Sequence, residues 1–357
     1  MKDLRLLLMA LMLLGGFTLS AQDAVLVSET EEEEEDALSI SGFVDVYFMT
    51  SFNDYASVPT SFTNTHNSFE LGMANVVFAK DFDKVGFVAD LAFGPRANDA
   101  NGTGGFTTDI IKQLFVTYSP TDAITLTAGN FGTHVGYELI DAPGNFNYST
   151  SYMFSNGPFF HTGIKADVAL GDKFGAMVGL FNDTDSKSDF LSVPGKQVGA
   201  QLSYSDDKLG VYLNYLGGTE DTSGVIVKGN QIDLTATYQA TDDFLVGVNA
   251  TNKAISAEGF ENVNWNGAAL YLNYSISDAF ALGARAEYFN TGEPLVVPTD
   301  DNLTVTAFTL SANLTQGALT FIPELRFDIG SEDIFFDSDN NATTTSAALI
   351  LGAYYAF

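Results

Sequence analysis

From Leu38 to its last residue the chain runs in segments of roughly ten residues in which every second side chain is apolar. In residues 208–215, Leu209, Val211, Leu213 and Tyr215 share one parity, and Lys208, Gly210, Tyr212 and Asn214 share the other. Residues 232–238 repeat the pattern with Asp233, Thr235 and Thr237 on the polar side. Phe308, Leu310, Ala312 and Leu314 oppose Thr309, Ser311 and Asn313. Successive side chains of a strand point to opposite faces, so this period predicts strands with one apolar and one polar face. Sixteen strands are expected, starting near residues 38, 68, 84, 108, 123, 160, 173, 196, 208, 229, 243, 265, 278, 302, 317 and 345.

The connections alternate in length. Short turns fall at 81–84, 119–122, 171–172, 206–207, 241–243, 277–278 and 315–317, with Asp, Gly and Pro at the bends. The others are long and rich in Asn, Asp, Gly, Ser and Thr. A soluble sandwich has no reason to lengthen every second connection. A transmembrane antiparallel β-barrel has one, since it carries short periplasmic turns and long external loops. An even strand number places both ends of the barrel on the periplasmic side. Closure pairs every backbone N–H and C=O, as the hydrocarbon core demands. Tyr118, Tyr204, Tyr238, Phe244, Tyr274, Phe280, Tyr355 and Phe357 cluster at the short-turn ends, where an interfacial aromatic girdle belongs. Pro323 lies within a strand segment and marks a bulge or a break in the ladder.

Lys and Arg total 15 against 45 Asp and Glu, so nucleic acid is not expected as a partner, because phosphate binding needs a basic face. There is no Cys, which removes disulfides, thiolate metal sites and Cys nucleophiles. Residues 1–21 are expected to be a signal peptide. Lys2 and Arg5 supply the basic start, residues 6–14 the apolar run, and Leu19-Ser20-Ala21 the cleavage site. Residues 22–37, with six consecutive acidic residues at 31–36, are expected to form a solvated periplasmic tail.

There are three histidines, His66, His134 and His161; the latter two flank the long loop, which can bring them together, but no catalytic motif accompanies them, and neither an enzyme nor a cofactor is expected. Asp337, Asp339 and Asn341 have the first half of a calcium-loop spacing. Ala342 and Ala348 replace the Gly and Glu that would complete it, so a solvated loop is expected.

The longest connection is 132–159. With Gly129-Asn130 before it and His161-Thr162-Gly163 after it, the stretch GYELIDAP, NFNYS and SYMFSNGPFFHTG resembles the OmpL-like β-barrel porin family. The resemblance implies a channel in the outer membrane of a Gram-negative bacterium, open to passive diffusion of small hydrophilic solutes or ions. It also implies a third external loop folded into the barrel as a constriction. The final strand, with Tyr355 and Phe357 on its apolar parity, resembles the C-terminal signal read by the barrel-assembly machinery. Outer-membrane lipids and, as in many porins of this size, a homotrimer are the other expected partners.

Sixteen strands enclose an aqueous lumen, whereas eight enclose a filled interior. The polar parity therefore supplies the expected pore lining: Asp45, Asp90, Lys165, Asp167, Asp233, Arg285, Glu287, Glu324 and Arg326. The expected constriction residues are Tyr137, Glu138, Asp141, Tyr148 and Tyr152. An excess of carboxylates predicts a weak preference for cations. Two alternatives stand beside the general pore. One is a substrate-specific channel, for example for an oligosaccharide, with loop aromatics as a sugar track. The other is a structural or adhesive barrel with acidic loops.

Overall fold

The computed structural model describes residues 37–54, 60–101, 109–188, 195–222, 225–258, 262–292 and 303–357. The expected signal peptide and most of the acidic tail lie outside these residues.

The strands fall where alternation places them, to within about four residues at their starts, which is the ordinary uncertainty of a boundary. They are β1 (Ser39–Ser51), β2 (Ser68–Phe82), β3 (Val85–Phe93), β4 (Ile111–Thr121), β5 (Ile124–Gly132) and β6 (Phe160–Ala169). Next come β7 (Phe174–Phe181), β8 (Gln197–Ser205), β9 (Leu209–Thr222), β10 (Val225–Thr241), β11 (Phe244–Ser256) and β12 (Val263–Ser277). The chain finishes with β13 (Phe280–Asn290), β14 (Thr304–Gln316), β15 (Leu319–Gly330) and β18 (Thr345–Ala356). A two-residue ladder, β16 (Phe335–Phe336) with β17 (Ala342–Thr343), folds the last long connection back on itself around Asp337. Sixteen of these strands form one closed antiparallel barrel in which each pairs with its chain neighbour and β1 pairs with β18. At the seam, Gly42 and Phe357 exchange both backbone hydrogen bonds, at 3.0 and 2.9 Å.

The two parities separate as expected. Leu213, Leu270, Leu310 and Leu325 are about half exposed on the outer face, while Asn214, Asn273, Ser311 and Glu324 are buried inside. The inner polar groups satisfy one another across strands. Gln201 donates to Asn214 at 2.8 Å, and Asn214 and Asn249 both donate to Asp233, at 2.9 and 2.6 Å. Aromatics pair across strands at the short-turn ends, Phe174 with Tyr204 and Phe244 with Tyr274. At Pro323 the ladder to β14 is interrupted between the pairs Ser311–Glu324 and Leu314–Phe321, with no shift in register. The missing N–H thus opens a gap without adding a bulge residue.

Two expectations follow. Leu310→Arg puts a charge on the lipid-facing parity and should lower unfolding stability in lipid vesicles by about 2–4 kcal/mol. An unchanged denaturant midpoint would mean that this face does not meet lipid. In the β8–β9 turn, Asp206 accepts hydrogen bonds from the Tyr204 hydroxyl at 2.7 Å and from the Lys208 and Leu209 amides at 3.0 Å. These bonds hold its carboxyl down at about 2. The turn's stabilisation is therefore present above the ordinary carboxylate range and lost as pH falls toward about 2. Asp206→Asn should lower thermal stability at neutral pH and converge with the parent protein near pH 2.

Candidate functional site

The connection between β5 and β6 leaves and re-enters adjacent strands, since Gly132 pairs with Phe160 and the Thr133 amide donates to the Phe159 carbonyl at 3.2 Å. Between these points it enters the barrel, and Glu138, Tyr148, Ser149, Thr150, Ser151, Tyr152 and Met153 are all buried. It contains only a short 3-10 turn (Ala142–Gly144) and the helix α2 (Tyr152–Asn156). Most of its backbone groups thus have no internal partner, and burial without partners is costly.

The wall supplies those partners. Glu324 accepts from the Tyr148 and Ser149 amides at 2.7 and 3.1 Å, and Glu287 from the Tyr152 and Met153 amides at 2.9 and 2.8 Å. Asp233 accepts from the Gly136 amide at 3.0 Å. Arg285 donates to the Ser149 and Thr150 carbonyls at 2.7 and 3.2 Å and forms an ion pair with Glu138 of the loop. Glu138 in turn accepts from the Ser151 amide at 2.7 Å. Arg326 donates to the Thr150 carbonyl at 2.8 Å and to Thr60 at 3.0 Å, and it pairs with Asp328 at 3.0 Å. Two wall carboxylates each take a pair of adjacent loop amides, and two wall guanidiniums take loop carbonyls.

Side chains complete the seat. The Tyr148 hydroxyl donates to Asp45 at 2.5 Å, and its ring lies against Gly352, where a Cβ would come within 2.3 Å. Ile350, which breaks the polar parity of β18, is fully buried in the same cluster with Tyr47, Met49 and Ile322. Tyr137 stacks on Tyr271 at 4.2 Å, and Tyr152 on Phe289 at 5.9 Å.

The loop does not fill the lumen. A cavity of about 570 Å³ remains beside β1–β6, lined by wall residues including Asn75, Thr117, Thr127 and Phe131 and by Ile140 and Asp141 of the loop. This sorts the expected site residues into two groups. Asp45, Asp90, Asp233, Arg285, Glu287, Glu324 and Arg326 are each 3% exposed or less. Lys165 and Asp167, 3.6 Å apart, and Asp141 keep 16%, 24% and 29% of their side-chain surface. Lys165 also lies over the Phe131 ring, 5.4 Å from its centre. Tyr355 and Phe357 lie on the outer face at the periplasmic end, half exposed.

Two cations absent from the expected site belong to it. Arg96, in the short helix α1 (Pro95–Ala100) of the second long connection, lies between the Phe62 and Tyr148 rings, 4.8 and 5.0 Å from their centres. It pairs with Asp45 at 3.5 Å and donates to the Ile140 carbonyl at 3.0 Å. An arginine in a polar loop gives no local sign that it is buried. Lys112 lies 2.7 Å from both Asp90 and Asp141. The local sign for it was a lysine on the apolar parity of β4. His134 and His161 do approach one another, 5.2 Å between ring centres, against Phe181. Among the described residues no cluster of three metal-ligating side chains occurs.

Comparison with known proteins agrees with this geometry. Residues 37–357 match the family model described as "Putative beta-barrel porin-2, OmpL-like". Among solved structures, the chain is similar to an anion-selective porin from Comamonas acidovorans (TM-score 0.63, 12% identity, 90% of this chain and 100% of that one). It is likewise similar to OmpT of Vibrio cholerae (0.60, 13%, 92% and 100%) and to the outer-membrane channel DcaP of Acinetobacter baumannii (0.58, 13%, 93% and 100%). At these identities the likeness is one of fold. No curated protein matches the chain.

Breaking a buried ion pair by removing one partner costs about 3–5 kcal/mol. Arg285→Ala strands Glu138 and frees the Ser149 and Thr150 carbonyls. Hydrogen exchange at the 148–153 amides should accelerate by about 100-fold or more while the strand amides stay protected. Equal protection in the variant would mean that the loop is seated without this pair.

Proposed function

Because the chain belongs to the OmpL-like β-barrel porin family, we propose that it is a passive diffusion pore for small hydrophilic solutes and ions with a weak cation preference. Its place is the outer membrane of a Gram-negative bacterium, and it is a channel, not an enzyme. The observation that carries the reading is the loop seated against part of the wall with a cavity left beside β1–β6. Selection by size follows from the space the loop leaves. Asp45, Asp233, Arg285, Glu287, Glu324 and Arg326 of the wall hold the loop, and the cavity-lining charges that keep the most exposure, Asp141, Lys165 and Asp167, act on a passing ion. The turn side adds a carboxylate excess. Asp81, Asp83, Asp122, Asp172, Asp206, Asp207, Asp242, Asp243 and Asp278 stand in or beside the short turns, against Lys80, Lys84, Lys173 and Lys208. Such a rim raises the local cation concentration.

Passive diffusion needs no cofactor or energy coupling. We assign the partners by the same reading: outer-membrane lipids against the apolar face, the assembly machinery at Tyr355 and Phe357, and a homotrimer as the working assembly. A substrate-specific channel is the second reading, favoured by the aromatic side chains Phe115, Phe131 and Phe159 that line the cavity together with Thr117 and Thr127. Aromatic and hydroxyl side chains in one cavity suit a sugar ring.

Planar-bilayer recording of the refolded protein under a salt gradient decides between them. Stable open steps with a reversal potential of cationic sign are expected, with conductance rising in proportion to salt. Sugar-dependent saturable block would favour the specific channel. A folded barrel that never conducts would overturn the pore reading.

A further inference from the structure

Lys112 shares the outward parity of Leu114, Val116 and Tyr118, which are about half exposed on the lipid side. A lysine there would meet hydrocarbon, where a charge is expensive. The ladder avoids this. Asp90 pairs with Gln113 and Leu91 with Ile111, so Lys112 is the extra residue of a β-bulge. A bulge re-aims a side chain, and Lys112 turns inward, 7% exposed.

The neighbouring strand is built to hold the bulge. The Asn130 side-chain amide donates to the Lys112 carbonyl at 2.7 Å, satisfying an acceptor that the bulge takes out of the ladder. Gly129, at φ 140°, lies where a Cβ would come within 2.2 Å of the Leu114 carbonyl, so only glycine brings β5 this close. Gln113, the other bulge residue, accepts from the Gly132 amide at 3.1 Å. Gly129-Asn130 thus supports the placement of one ammonium group.

That ammonium lies between a fixed and a water-facing carboxylate. Asp90 is 1% exposed and also accepts from Asn75 at 3.0 Å. Asp141 belongs to the loop, keeps 29% of its surface and lines the cavity with Lys112.

We propose that Lys112 is a specificity-determining residue of the pore: the bulge places it between Asp90 of the wall and Asp141 of the loop, where it cancels one of two carboxylates and limits the cation preference of the passage. The inference rests on the porin reading. With Lys112 present the trio carries one net negative charge. Lys112 is equally close to both carboxylates, and Asp141, the most exposed of the three, is the member that a passing cation reaches. Without the ammonium, the two carboxylates lining the cavity are uncompensated.

The test is the reversal potential in a potassium chloride gradient for the full-length refolded protein, with folding verified by heat-modifiable migration. Lys112→Met should raise the potassium-to-chloride permeability ratio roughly sevenfold, because one unit charge about 7 Å from the path in water favours the cation and disfavours the anion by about 2.7-fold each. Asp141→Asn, which leaves the Lys112–Asp90 pair intact, should lower it by a similar factor. Lys112→Arg should keep the parent ratio, and Asn130→Ala should move part of the way toward Lys112→Met. A purely structural Lys112 would change open-channel stability without changing the ratio. Should Lys112→Met fail to fold, Asp141→Asn alone decides. An unchanged ratio in a conducting Asp141→Asn channel overturns the inference and leaves the pore standing. A folded parent barrel without conductance removes both.

Discussion

Every feature of this molecule depends on closing the backbone ladder. A spanning segment in hydrocarbon has no water to satisfy its N–H and C=O groups, so a sheet can cross only without an edge. The pairing of β1 with β18, tied at Gly42 and Phe357, supplies that condition. Once the ladder is closed, two environments exist and the alternation of side chains must serve both. Leucines and aromatics take the lipid side, and amides, hydroxyls and charges take the interior.

The interior then has its own requirement. A loop without regular structure that enters the lumen brings unpaired amides and carbonyls with it, and they need partners as much as the strands do. The wall meets them with Glu324, Glu287 and Asp233 for amides and with Arg285 and Arg326 for carbonyls. Buried charges of this kind are stable only when paired and hydrogen-bonded, and here their partners are largely loop backbone and loop side chains. Most of the ionisable wall is therefore occupied in holding the loop, and Asp90, Lys165 and Asp167 line the cavity instead.

Much of this was legible beforehand, for a local reason. Period-two alternation and turn residues are properties of neighbours in the chain, and they predicted sixteen strands, both faces and the rank of the long loop. Ile350 looked like a defect in the alternation of β18 because its partner, Tyr148, is remote in sequence. Glu138 and Arg285 are 147 residues apart, and Tyr148 and Glu324 are 176 apart, separations that no local pattern encodes. Arg96 was hidden by its polar surroundings. Lys112 stood out as a lysine on the apolar parity of β4, but its inward turn was hidden, because strict alternation assumes an unbroken ladder and one bulge reverses the face of a residue.

The sequence by itself determined the class of solution: a closed barrel with short turns on one side and long loops on the other. Nothing else pairs all the backbone of strands that must face lipid on one parity and polar groups on the other. Only the tertiary structure decided which charges hold the loop and which face the cavity. That division depends on where the loop crosses the lumen and on a one-residue bulge at Lys112, because the worth of a charge is set by its distance to a partner and by the water it keeps.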